Sequence, residues 1–425
     1  MSVSSDAASP AGLNRFARRG SQRPSREPPR SDSAGGIDPE LREEDRHPEH
    51  LWRTRVGFGL ISARGGTEGE SSVKFYSSKV PRAKSMIVLV TEPEFRRAAD
   101  VFASADGVRC IPAPGDEPAL ARAVAEQAAR YVIVGSVRYL SELYDALPRG
   151  GVIARFGVGH DGIDKQRATR SGLLCTNTPG VLDESVAEHA MLLMLAAARH
   201  LPRLVTDMRD RTWALGPAGA ELRGKTLAVI GGGRIGQATA RIASQGFGMR
   251  VIGLRRTPGG AGGFDSVTTD FADAVRDADY VSLHITAEPA NQRFLSGSRL
   301  SMIPARAWLI NTARGAVVDE RDLFDALAAG RLAGAALDVF DREPYVPADP
   351  AHDLRTLPNV ILTPHVGSHT REANRLMAMR ALQNVVRAEA RDFDGMDLLN
   401  PGVLNSTDVR RQDHTGEGEK GRKNL

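Results

Sequence analysis

Along the chain, short apolar runs alternate with amphipathic stretches of helical period. This pattern predicts an α/β fold built on parallel sheets. A first series of strand-like runs comprises Met86–Val90, Val108–Ile111, Tyr131–Val134, Val152–Phe156 and Leu173–Cys175. A helix follows from Ser185 to Arg199, apolar on nearly every side and therefore expected to be buried. A second series starts at Thr226 and predicts six strands: Thr226–Ile230, Arg250–Leu254, Tyr280–His284, Ala307–Asn311, Ala335–Val339 and Val360–Thr363. Six strands in sequence, most followed by helix-like segments, fit one doubly wound domain. A last helix, about Arg371 to Asp392, comes after that domain is complete. It is expected to return to the first domain, which is then discontinuous.

The ends do not share this pattern. Only 11 of residues 1–50 are hydrophobic, against 41% of the 425-residue chain. So polar a stretch buries too little apolar area to offset its ordering entropy, and disorder is expected over residues 1–84. A transit peptide is the alternative reading of the N-terminus, because Asp6 is the only acid before Glu27. The polar tail, residues 402–425, is likewise expected to be disordered.

Charge is distributed unevenly in a way that matters. Residues 1–84 hold 15 Lys+Arg against 11 Asp+Glu, and residues 402–425 hold 5 against 4. Residues 85–401 are left with 36 against 37, so the basic pI of 9.2 comes from the ends. A nearly neutral core argues against a nucleic-acid-binding surface. The longest apolar run, Ala190 to Ala198, has nine residues, far short of the roughly 20 that span a bilayer. Two cysteines, Cys110 and Cys175, cannot make a disulfide framework, so a reducing cytoplasm is the expected compartment. No metal is expected.

Gly231-Gly232-Gly233-Arg234-Ile235-Gly236 reads G-x-G-x-x-G, directly after a predicted strand and at the start of a predicted helix. In that context Gly231 permits a tight turn, Gly233 lets the backbone approach a pyrophosphate, and Gly236 lets helix and strand pack closely. The helix N-terminus supplies free N–H groups for the phosphates. The second strand of such a domain normally ends in an acid that binds the ribose 2′-hydroxyl. Here it ends Arg255-Arg256-Thr257, where two guanidiniums and a hydroxyl suit a 2′-phosphate instead. NADP is therefore expected in preference to NAD, the alternative being two solvated loop arginines.

Three further stretches are expected at carboxyl ends of strands, the edge where open α/β sheets hold ligands. They are Asn311-Thr312-Ala313-Arg314-Gly315, Asp338-Val339-Phe340-Asp341-Arg342-Glu343-Pro344 and Thr363-Pro364-His365-Val366-Gly367-Ser368, placed after the fourth, fifth and sixth strands of the second series. Reduction of a ketone by hydride needs a proton donor, a role that suits His365. Glu343 beside it would stabilise the imidazolium, and the planar Arg314 can grip a substrate carboxylate and polarise the adjacent carbonyl. Each residue alone is more often a structural His, a solvated turn or a surface ion pair.

Together these stretches resemble the D-isomer-specific 2-hydroxyacid dehydrogenase family over about residues 85–401. The resemblance extends to Arg155-Phe156-Gly157-Val158-Gly159-His160-Asp161-Gly162-Ile163-Asp164, Asn177-Thr178-Pro179-Gly180 and Ser185-Val186-Ala187-Glu188. It implies a Rossmann cofactor domain (185–368) inserted into a flavodoxin-like substrate domain (85–184 and 369–401). The active site would lie between them, and a homodimer would form through the cofactor domain. It implies Arg314 as substrate-binding arginine, Glu343 as carboxylate partner and His365 as acid/base. Backbone N–H groups around Val158 and Gly159, with the Gly135-Ser136 loop, would hold the substrate carboxylate. Arg234 and Ile235 would meet the pyrophosphate. Thr312, Ala313, Arg314 and Asp338 would line the nicotinamide side, with His365, Gly367 and Ser368 close by, and Asp338 would bond the carboxamide.

The chain also departs from the family. His284-Ile285-Thr286 replaces the usual His-x-Pro, and the acid after the second strand is missing. Where members acting on phosphoglycerate have an arginine in the first substrate loop, this chain has Gly135, with Arg138 nearby. The expected activity is reduction of a small 2-oxo acid, or D-2-hydroxyacid oxidation in reverse. A cofactor-sensing binding protein resembling the C-terminal-binding co-repressors is the reading from a different functional class.

Overall fold

The computed structural model describes residues 86–257, 259 and 262–405. The disorder expected over residues 1–84 lies outside the described residues, as does most of the expected tail. Within the expected tail, residues 402–405 are instead ordered: they belong to the 3₁₀ turn Pro401–Asn405, in which Val403 is fully buried.

One sheet comprises β1 (Met86–Thr91), β2 (Val108–Ala113), β3 (Tyr131–Val134), β4 (Val152–Arg155) and β5 (Leu174–Thr176). All pairs are parallel, in the order β2-β1-β3-β4-β5, which is the flavodoxin-like arrangement. Its strands read as continuous apolar runs because helices cover both faces. On one face Val88, Ile133 and Ala154 pack with Met377, Ala381 and Val385 of helix Arg371–Glu389. On the other, Leu89, Val132 and Ile153 pack with Leu120 and Val124 of helix Glu117–Gln127.

The second sheet comprises β6 (Thr226–Ile230), β7 (Arg250–Leu254), β8 (Ser266–Thr268), β9 (Tyr280–Leu283), β10 (Trp308–Asn311), β11 (Gly334–Leu337) and β12 (Val360–Leu362). The order is β12-β11-β10-β9-β6-β7-β8, again all parallel. It has seven strands rather than the six expected. The addition, β8, is a three-residue edge strand, too short to show an alternating pattern. The three chemistry-bearing stretches therefore follow the fifth, sixth and seventh strands of this series. Helix Asp183–Ala198 buries Met191 and Met194 against Leu227, Val229 and Ile310 of this sheet.

Register fixes the functional edge. Ile230 pairs with both Leu254 and Leu283, Leu283 with Asn311, Asn311 with Leu337, and Leu337 with Leu362. The residues that follow (Gly231, Arg255, His284, Thr312, Asp338 and Thr363) thus leave the sheet along one line. Val134 and Arg155 pair in the same way at the carboxyl edge of the first sheet.

Candidate active site

The glycine motif is a turn that other residues could not make. Gly231 has φ +111°, and a Cβ there would meet the His284 carbonyl oxygen at 2.5 Å. A side chain at Gly236 would run into the Gly231 carbonyl, so helix Arg234–Arg241 lies close to the turn. That helix starts at Gly233 without a side-chain cap, leaving its first N–H groups available to an anion. The Arg234 side chain turns aside, its Nε donating to Asp183 Oδ2 at 2.8 Å. Arg255 lies across Gly232, close enough that a Cβ at 232 would come within 2.5 Å of its Cγ and Cδ. Its Nη1 donates to the Gly259 carbonyl at 2.9 Å, while Arg256 and Thr257 are exposed.

The candidate acid/base pair is made. His365 Nδ1 stands 2.6 Å from Glu343 Oε2, and Glu343 Oε1 accepts the Phe340 N–H at 3.0 Å. His365 has φ +54°, a left-handed conformation that costs a non-glycine residue about 1–2 kcal/mol. Asp338 organises the loop that imposes it. The His365 N–H donates to the Asp338 carbonyl at 2.8 Å. Asp338 Oδ1 accepts the Thr363 hydroxyl at 2.6 Å and the Val366 N–H at 2.9 Å, and Oδ2 accepts the Gly367 N–H at 2.8 Å. Burial alone would raise the Asp338 pKa. Hydrogen bonds from His189, Thr363, Val366 and Gly367 more than offset this and hold it below the usual carboxylate value. The carboxylate expected at a carboxamide is thus also the brace of the histidine loop.

Arg314 Nε donates to Asp161 Oδ1 at 2.9 Å, and Nη1 to the Ala313 carbonyl at 2.6 Å. Its guanidinium occupies the space that any side chain at Gly159 would need. Burial pushes the Asp161 carboxyl up, but the Arg314 charge and hydrogen bond bring it below its ordinary value. Arg155 lies behind Gly159: its Nε donates to the Gly159 carbonyl at 2.9 Å and its Nη1 to the Phe156 carbonyl. Burial first, and the like charge of Arg314 next, bring the Arg155 pKa down to about 10. Asp161 and Arg155 were not singled out for these roles in the sequence, although both lie in the quoted Arg155–Asp164 stretch.

One cavity of about 870 Å³ collects most of these groups. Ser136, Val158, Gly159, Ile235, Thr312, Ala313, Arg314, Asp338, Glu343, His365, Gly367 and Ser368 all line it. Gly135 is buried behind the carboxylate of Glu94, and the exposed Arg138 is not part of the lining. Gly231, Gly233, Arg234, Gly236, Arg255, Arg256 and Thr257 also lie outside the lining, in the glycine turn and after the adjacent β7. Thr312 Oγ1 is buried with no hydrogen-bond partner among the described residues. An orphaned hydroxyl after β10 and an uncapped helix N-terminus after β6, on the same sheet edge, fit a dinucleotide spanning cavity and glycine turn. No cluster of metal-ligating side chains occurs among the described residues, and no described helix is long and apolar enough to cross a membrane.

Comparison with known proteins agrees with this geometry. The family model for the NAD-binding domain of D-isomer specific 2-hydroxyacid dehydrogenases matches residues 191–367. A glyoxylate reductase of Thermococcus litoralis is 38% identical over 276 residues, 63% of this chain and 82% of that protein. A D-3-phosphoglycerate dehydrogenase of Methanocaldococcus jannaschii is 34% identical over 310 residues, 71% of this chain and 58% of that one. Among solved structures, an NADPH-dependent glyoxylate/hydroxypyruvate reductase from Sinorhizobium meliloti, in complex with NADP and malonate, superposes with a TM-score of 0.63. It is 30% identical, and the match covers 72% of this chain and 93% of that one. With the paired parallel sheets, these likenesses show that the chain belongs to the D-isomer-specific 2-hydroxyacid dehydrogenase family, NAD(P)-dependent enzymes acting on a CH–OH group.

Proposed function

We propose that the enzyme reduces small 2-oxo acids to D-2-hydroxy acids, with His365 as acid/base, Glu343 as its partner and Arg314 as the substrate-binding cation. The observation that carries this reading is the convergence of the His365–Glu343 pair and Arg314 on one cavity. With Nδ1 committed to Glu343, His365 Nε2 is the nitrogen left to exchange a proton with the substrate oxygen. Arg314, anchored by Asp161, presents its remaining N–H groups to the substrate carboxylate and carbonyl. N–H groups of Val158, Gly159 and the Gly135-Ser136 loop complete the carboxylate site. Bound NAD(P)H supplies the hydride. Gly231, Gly233, Ile235 and Gly236 would hold its pyrophosphate together with the Arg234 N–H. Thr312, Ala313, Asp338, Gly367 and Ser368 would hold its nicotinamide half. Arg255, Arg256 and Thr257 favour NADP over NAD. Nicotinamide absorbance followed against a panel of 2-oxo acids, with both cofactors, tests the reading, and absence of turnover with every acid would reject it.

The same reading includes a homodimer. Helix Leu201–Arg209 buries none of its residues, and it exposes Leu201 (45%), Val205 (38%) and Met208 (56%). Trp213 (86%), Leu215 (91%) and Leu192 (52%) are further exposed apolar side chains in the same stretch of sequence. A patch of that kind marks an interaction site, and a second copy of the chain is its proposed occupant. Sedimentation should show a dimer that Met208→Asp converts to monomer.

A further inference from the structure

On one wall of the cavity, Glu94 has no task in the mechanism above. That wall lies where the order of the five-stranded sheet reverses, between β1 and β3, the position at which open α/β sheets hold ligands. Helix Glu92–Arg97 follows β1 directly and carries Glu94, which is only 6% exposed yet lines the cavity. Its carboxylate rests on Gly135 at the end of β3, and any side chain at 135 would overlap Oε1. Oε2 accepts the Thr91 hydroxyl. Oε1 has no hydrogen bond among the described residues; the Arg97 guanidinium stands 3.9 Å away. Oε1 therefore stands as an acceptor open to a donor inside the cavity.

Arg155 links this wall to the carboxylate site. Its Nε and Nη1 donate to the carbonyls of Gly159 and Phe156, with a longer contact to Val134, and the charges of Glu94 and Arg314 both act on it. Glu94 and Arg314 are therefore charge neighbours of one guanidinium whose Nε and Nη1 are bound to backbone.

We propose that Glu94 is a specificity-determining residue that accepts a hydrogen bond from a hydroxyl on the 2-oxo acid's side chain and disfavours side chains ending in a carboxylate or phosphate. The assignment rests on the reading of the site as a 2-oxo acid reductase. Glu94, Gly159 and Arg314 line the same cavity. The side chain of a substrate held at Arg314 and Gly159 that reaches this wall therefore meets Glu94 Oε1, which takes the room left by the missing Cβ of Gly135. A hydroxyl there completes the carboxylate, a methyl leaves it unfilled, and an anion meets like charge.

The test uses the full-length enzyme with hydroxypyruvate, pyruvate and oxaloacetate. Hydroxypyruvate should exceed pyruvate in kcat/KM by about 10- to 150-fold, the range for a hydrogen bond to a charged group, and oxaloacetate should be poorest. Glu94→Leu should bring the hydroxypyruvate/pyruvate ratio close to one. Glu94→Gln, which keeps an acceptor and loses the charge, should leave a reduced ratio of about 3- to 10-fold and raise oxaloacetate relative to pyruvate about tenfold. Ratios within one variant cancel losses of folded fraction, and the wild-type panel alone decides if the variants do not fold. A wild-type preference for oxaloacetate, or an unchanged ratio in Glu94→Leu, overturns the assignment alone. Absence of turnover with every 2-oxo acid overturns the reductase reading and the assignment with it.

Discussion

Arg314 Nε donates to Asp161 Oδ1 at 2.9 Å, so an arginine just beyond β10 is held by a carboxylate just beyond β4 of the other sheet. The contact joins the two functional edges where the substrate carboxylate is expected. It also consumes the one guanidinium edge that a two-point grip on substrate does not need. Asp161 is therefore a positioning residue in this reading, acting through Arg314.

Asp161→Asn keeps the side-chain shape and removes the charge. A charge-assisted hydrogen bond becomes a neutral one of about half its strength. The expected result is a rise in KM for the 2-oxo acid of about tenfold, with a smaller change in kcat. Steady-state kinetics at saturating cofactor measure this. A KM equal to that of the wild type would show that Arg314 is positioned without Asp161.

The acid/base pair gives a larger effect. His365→Ala should lower turnover by roughly 10²–10⁴-fold, the usual contribution of a general acid–base group. Glu343→Gln, which leaves a neutral hydrogen bond to Nδ1, should lower it about tenfold. Cofactor binding, followed by nicotinamide fluorescence, should survive both changes. Wild-type turnover in His365→Ala would place the proton donor elsewhere.

How much of this could be read from the sequence depended on whether the signal was local. Gly231–Gly236, Arg314, Glu343 and His365 each lie in a contiguous stretch at a strand end, and parallel register then brings those ends together. The β8 strand carries no such signal in its Ser-Val-Thr. Glu94 stands in a Glu-Pro-Glu-Phe-Arg-Arg segment that reads as an ordinary exposed helix start, and only the absence of a side chain at Gly135, 41 residues away, lets it be buried. Asp161 sits in a recognisable loop, but its bond to Arg314 spans 153 residues and exists only in three dimensions. The Asp338 network was hidden for a different reason: besides His189 and the Thr363 hydroxyl, its partners are the backbone N–H groups of Val366 and Gly367, and every residue but proline possesses one.

Protonation of His284 should make the protein acid-sensitive. Burial brings the His284 pKa down from 6.5 to about 4, with Nε2 2.9 Å from Ser282 Oγ. Because the folded value lies below the unfolded one, the unfolded chain takes up the proton first as pH falls. The contribution to stability is complete above about pH 6.5 and is lost progressively down to about pH 4. Between pH 7 and pH 5 this amounts to at most about 2 kcal/mol, since the ring touches the cavity and is not wholly shielded. Urea unfolding without cofactor should show that loss in the wild type, and a shallower one in His284→Asn. Parallel pH dependences in the two proteins would assign the acid sensitivity to other groups.

Cofactor choice turns on the residues after β7. Where an acid would take the ribose hydroxyls and repel a 2′-phosphate, the chain has Arg255, Arg256 and Thr257. Arg255 is already directed by its surroundings: it lies across Gly232, and Gly259 holds its Nη1 at 2.9 Å. A guanidinium fixed beside the glycine turn loses little further freedom when it meets a phosphate, and the bond it makes is charge-assisted. NADPH should therefore exceed NADH in kcat/KM by about 10- to 150-fold, the equivalent of about 1.5–3 kcal/mol. Arg256 and Thr257 are exposed, so salt should reduce the preference by screening their part of it. Arg255→Asp should reverse the order by supplying a carboxylate for the ribose hydroxyls and repelling the phosphate. Equal efficiency with the two cofactors in the unmodified enzyme would leave Arg255 as packing for the glycine turn and nothing more.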